Sequence, residues 1–160
     1  MNTLLSNSSL PFIAFDPGID KGGVAWRDEN GTLYAKTTLE VLHHMESFGA
    51  LLTEVKPVVI AIEEIPLLSS PNAIKLGISY GSIMEACANY RLTAPDVSRV
   101  FVKPAQWQRY HGFPSGLTYK QRKKYAHRQA VHNNPGEVFT EPVSDVVLIL
   151  EWVGKITSVE

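Results

Sequence analysis

Apolar and polar positions divide the chain into short strand-like runs and longer helical stretches. Residues 12–15 form a continuous apolar run stopped by Asp16-Pro17-Gly18. Residues 22–26 and 32–38 read as two further strands around Asp28-Glu29-Asn30-Gly31, where Asn-Gly predicts a hairpin turn. Leu39, Leu42, Met45, Phe48, Leu51, Leu52 and Val55 recur at helical spacing, predicting one amphipathic helix that Pro57 stops. Residues 58–62 are mostly β-branched and apolar throughout, as suits a central parallel strand buried on both faces.

After a loop over 66–71, the pattern predicts a helix over about 72–90, whose Gly77, Gly81, Ser82, Ala86 and Ala88 permit close approach of a neighbour. A strand over 97–102 follows, then a short helix begun by Pro104, a loop through Gly112, Pro114 and Gly116, a basic helix over about 118–133, and a last helix over about 142–155. Three antiparallel strands followed by alternating helices and strands describe an α/β fold: a mixed five-stranded sheet, three strands antiparallel and two parallel, with helices on both faces. The Ser/Asn-rich residues 1–10 read as a flexible leader, and 11–160 as one domain.

Composition narrows the picture only a little. A chain of 160 residues with 44% hydrophobic content can bury one real core, and its single cysteine, Cys87, excludes an internal disulfide. No signal peptide or membrane-length apolar run is visible, so a cytoplasmic location without a membrane partner is the expectation. Lys+Arg 15 against Asp+Glu 16 announces no polyanion partner globally. Locally, however, Lys120, Arg122, Lys123, Lys124, His127 and Arg128 crowd one helix, as either a phosphate-binding surface or a solvated helix face.

The candidate chemistry lies at the ends of apolar segments. Asp16 ends the first strand, Glu63 ends the strand over 58–62, and Asp145 opens the apolar run 146–150. A carboxylate beside a buried segment is costly without hydrogen bonds, a cationic partner or a metal, and three such acids point to one metal site. Neither His43-His44, adjacent and therefore splayed around a helix, nor any cysteine cluster supports zinc. Trp107 and Tyr110, next to the basic tract, are candidates for base stacking or for core packing.

In family order these pieces resemble the RuvC-type Holliday junction resolvases of the RNase H-like nuclease superfamily. Phe15-Asp16-Pro17-Gly18 with Gly23 resembles the first motif, Ala61-Ile62-Glu63-Glu64 the second, and Ser144-Asp145 the carboxyl-terminal acidic motif. Lys75-Leu76-Gly77 with Gly81 is similar to the family's dimer helix, and Lys103-Pro104 to Trp107, with Gly112 and Lys120, to its DNA-contacting passage. One departure stands out: the last motif usually carries two acids three residues apart, and here Pro142 occupies the earlier place. Glu141 is either a substitute ligand or a helix-start acid favoured by the dipole.

The resemblance implies a structure-selective endonuclease that resolves Holliday junctions or other branched DNA in recombination and repair. It implies a homodimer and two Mg²⁺ ions roughly 3.5–4 Å apart, with Mn²⁺ substituting. Asp16, Glu63, Asp145 and Glu141 are then the metal ligands, and Lys120 the catalytic cation near the scissile phosphate. Arg122, Lys123, Lys124, Arg128 and Lys103 contact the DNA backbone, and Leu67 and Leu68 either wedge into the junction or cap the core. A branched-DNA-binding protein of this fold with weakened or lost cleavage is the alternative, motivated by Pro142.

Overall fold

The computed structural model describes residues 10–18, 22–65 and 72–157. Five strands, β1 (Phe12–Asp16), β2 (Gly23–Arg27), β3 (Leu33–Thr37), β4 (Val59–Glu63) and β5 (Ser98–Val102), form one sheet in the order β3-β2-β1-β4-β5. β1 pairs antiparallel with β2 and parallel with β4, and β4 pairs parallel with β5. The expected mixed sheet is therefore present, with β1 at its centre.

Strand alternation divides the core into two layers. Ile13, Phe15, Val24, Ile60 and Ile62 face helices α1 (Thr38–Met45), α2 (Phe48–Val55) and α3 (Asn72–Thr93). Ala14, Ala25, Ala61 and Val102 face the other way, toward α4 (Pro104–Tyr110), α5 (Tyr119–Asn133) and α6 (Ser144–Thr157). The large residues thus fill one layer, while three alanines on the other let α6 lie close across the strands. Gly23 extends that fit: a Cβ there would stand 2.7 Å from Val146 Cγ1, so only glycine admits α6 at this depth.

One local detail departs from the sequence expectation and another refines it. The helix anticipated over 39–55 is two helices, because Glu46 adopts the left-handed conformation (φ 64°) and Ser47 then caps α2 by accepting from Ala50 N at 3.0 Å. The apolar spacing runs through the break undisturbed, and only the Ser-Phe-Gly cap signal marked it. In the β2–β3 turn, Gly31 alone takes a positive φ (81°) and Gly31 N donates to Asp28 O at 2.9 Å. Asp28 Oδ1 accepts from the N–H groups of Asn30 and Thr32, so the expected Asn-Gly hairpin turn is present and the Asp28 side chain closes it.

Among the described residues no helix is long and apolar enough to cross a membrane.

Candidate active site

The pleat aims the acids. Residues alternate sides along a strand, so Asp16 shares the face of Ala14, and Glu63 shares the face of Ala61. Phe15 is in register with Ile62, which sets Asp16 and Glu63 side by side at the carboxyl edge of the two central strands. Both therefore point to the α6 layer, where Asp145 lies in the first turn of α6. Buried Ser144 anchors that turn: its hydroxyl donates to Thr140 O at 3.2 Å and accepts from His127 Nδ1 at 3.0 Å.

The three acids interact. Burial raises the Asp16 pKa above the ordinary range, against the opposing effect of a hydrogen bond from Glu63, while the Asp145 charge adds to the rise. Glu63 is pushed up to about 9, first by burial, then by the Asp16 charge and by the hydrogen bond it donates to Asp16. The pair holds one proton between two carboxylates, as two like charges at contact require. Trp107 restrains Glu63 from the other side, its indole N–H donating to Glu63 Oε1 at 2.8 Å. With Trp107 only 1% exposed, the base-stacking alternative for this residue is corrected: its ring is core and its polar edge orients an acid.

Asp145 has a different partner. Lys123 Nζ donates to Asp145 Oδ2 and forms an ion pair with it. Burial works to lower the Lys123 pKa, but the charge and hydrogen bond of Asp145, with the Asp16 charge behind them, raise it overall. Asp145 Oδ1 is buried and has no hydrogen-bond partner among the described residues. Such an orphaned oxygen beside two other carboxylates is costly unless a cation or a donor completes it.

The other candidate residues are placed as follows. Lys120 is exposed on the first turn of α5, one turn before Lys123, and it is Lys123 that reaches the acids. Its signal was the stripe Lys123, Ala126, His127, Ala130: Ala126 and Ala130 are buried against α6, so a lysine three residues before Ala126 points the same way. Glu141 is exposed on a single 3₁₀ turn, Glu141–Val143, that leads into α6. Lys103, Lys124 and Arg128 are exposed and Arg122 is half-buried. Leu67 and Leu68 lie outside the described residues.

The donor set suits a hard divalent cation: three carboxylates, from β1, β4 and α6, with an unsatisfied oxygen among them. Among the described residues no three His, Cys, Asp or Glu side chains stand ready-spaced around an ion. The reason is local. Glu63 is hydrogen-bonded to Asp16, and Asp145 is drawn to Lys123, so the acids satisfy one another as far as they can.

No family model and no curated protein sequence matches the chain. Solved structures do. Thermus thermophilus RuvC superposes with a TM-score of 0.61 at 14% identity, over 92% of this chain and 97% of that one. The chain has the RuvC-type, RNase H-like fold. The same RuvC bound to a Holliday junction substrate matches over 94% of this chain and 96% of its own, with a TM-score of 0.61 at 14% identity. The Fowlpox virus resolvase with Holliday junction DNA gives a TM-score of 0.57 at 14% identity, over 94% of this chain and 100% of that one. The RuvC-type fold thus extends over nearly the whole chain.

Proposed function

We propose that the chain is a divalent-metal-dependent endonuclease that cuts four-way junctions or other branched DNA. The observation that carries this reading is the meeting of Asp16, Glu63 and Asp145 on one sheet edge with an unpartnered buried oxygen, Asp145 Oδ1. Asp16, Glu63 and Asp145 would hold Mg²⁺ or Mn²⁺. When bound, such ions polarise the scissile phosphate and lower the pKa of an attacking water. The chain's own residues do the rest. Glu63 would release its proton to solvent water on binding the ion, and Trp107 keeps the carboxylate aimed at Asp16's side of the site. Lys123 holds Asp145 in place and presents a positive charge beside the acids, where a phosphate oxygen would dock. Exposed Lys120, Lys124 and Arg128 extend that charge along α5, toward the DNA backbone.

A four-way junction has two-fold symmetry, and paired cuts need two sites, so the working form is a homodimer. The face of α3 that carries Gly77 and Gly81 supports this: among the described residues neither glycine has a neighbour within 4 Å of where a Cβ would stand, and Ile74 and Ile78 beside them are 72% and 65% exposed. Labelled four-way junction, flap and linear duplex, each with and without Mg²⁺, test the reading. Junction-selective, Mg²⁺-dependent cutting is expected. Selective binding without cutting in Mg²⁺ would favour the binding-only reading, for which the Lys123–Asp145 pair and the exposed Glu141 speak.

A further inference from the structure

Beside the acids, α5 presents a feature that the proposed chemistry does not use. Tyr119, the first residue of α5, is 67% exposed. Two cations lie over its ring: Lys123 Nζ and Arg122 Cζ are each 5.6 Å from the ring centroid. Lys123 also pairs with Asp145. Arg122 in turn lines a cleft of about 460 Å³ with Gln108, Arg109, Phe113 and Leu117. Asp145, Lys123, Tyr119, Arg122 and the Arg109 cleft are therefore consecutive neighbours, a track that runs outward from the site as cation, aromatic, cation. The start of α5 is held rigidly, since Thr118 Oγ1 accepts from Gln121 N at 3.3 Å and Gln121 Oε1 accepts from Thr118 N at 2.9 Å.

Paired bases inside a duplex keep their faces stacked on each other, so an exposed ring between phosphate-binding cations gains most from a nucleotide whose base is already unstacked. We propose that Tyr119 stacks on an unpaired or splayed base next to the cleavage position, while Arg122 and Arg109 hold the following phosphate in the adjoining cleft. This rests on the reading of the chain as a branched-DNA nuclease, and it specifies the substrate: a strand unstacked at the branch rather than continuous duplex. The cations already at the ring turn to phosphate, and the ring face goes to the base.

The test uses the full chain carrying D16N, so that DNA is bound and not cut, with four-way junctions bearing 2-aminopurine at successive positions around the branch. Binding is read by anisotropy and stacking by 2-aminopurine fluorescence. One position should be quenched, the quench should vanish in D16N/Y119A and persist in D16N/Y119F, and Y119A should weaken affinity about tenfold, within the range for a single base–aromatic stack. R109A should flatten the slope of log affinity against log salt by about 0.7–0.9 without altering the quench. Tyr119 and Arg109 are exposed, and circular dichroism verifies that the variants fold. Tight junction binding with the same fluorescence pattern in Y119A, or with no position quenched, overturns the stacking assignment alone. Failure to bind any branched DNA overturns the functional reading, and the stacking role with it.

Discussion

Replacing Glu63 by Gln should make the metal-free protein more stable at neutral and alkaline pH, and inactive. Glutamine mimics the protonated acid: its amide N–H₂ can donate to Asp16 while its oxygen accepts from the Trp107 indole, so both restraints on Glu63 persist. What disappears is the ionisation. Glu63 titrates at about 9 in the fold against an ordinary 4.5, chiefly because it is buried. A carboxyl whose folded pKa is raised contributes most stability below its unfolded pKa, and loses it as pH rises toward the folded value. At about 1.4 kcal/mol per unit, the wild type should lose about 3 kcal/mol between about pH 5 and pH 7 through this group, part of it shared with Asp16 because the pair holds one proton. For a chain this size that is a fall of about 6–12 °C in Tm. The assay is thermal or urea unfolding in EDTA across this range, wild type beside E63Q. The curves should meet at low pH and diverge as pH rises, with E63Q the more stable. Adding Mg²⁺ should raise the wild-type Tm and leave E63Q nearly unmoved. Parallel curves in EDTA would refute the reasoning, since Glu63 would then carry no shared proton.

Gly23→Ala should cost about 1–3 kcal/mol by overpacking against Val146, and should slow cutting by shifting Asp145, which chemical denaturation and single-turnover rates would detect. Lys123→Ala should slow cutting more than it weakens binding. Lys120→Ala and Lys124→Ala should instead weaken binding and flatten the salt slope by about 0.9 each, and a wild-type slope would return these two residues to solvated surface. Glu141→Gln should leave the Mg²⁺ titration of the rate unchanged, which leaves three acids as the whole site; a shifted titration would make Glu141 a fourth ligand.

The mixed sheet was legible from the order of elements, three strands followed by alternating helices and strands, and the acids from their places at the ends of apolar runs. Asp16 and Glu63 each stand two residues beyond an alanine of the α6-facing layer, so their common face is written in the residues around them. Other features depend on facts that no periodicity encodes. Trp107 looked equally suited to stacking or to the core, and its indole bond to Glu63 depends on how α4 follows β5. That Lys123 is the lysine paired with Asp145 was legible only from the small residues of the basic tract, Ala126 and Ala130, and not from its charges. Gly23 was legible only as part of the first motif, yet it also admits Val146, a contact 123 positions away in sequence that no local rule reaches. The break at Glu46 was hidden because the apolar stripe continues from α1 into α2.

The central claim is that Asp16, Glu63 and Asp145 together make a divalent-metal site that cuts DNA at branches. Single-turnover cleavage of a labelled four-way junction in Mg²⁺, wild type against D16N at matched saturation, tests it most directly. Asparagine keeps the size of Asp16 and removes the charge that would hold the ion, so the account predicts a rate lower by orders of magnitude with junction affinity retained. A D16N protein that cuts at the wild-type rate would contradict it.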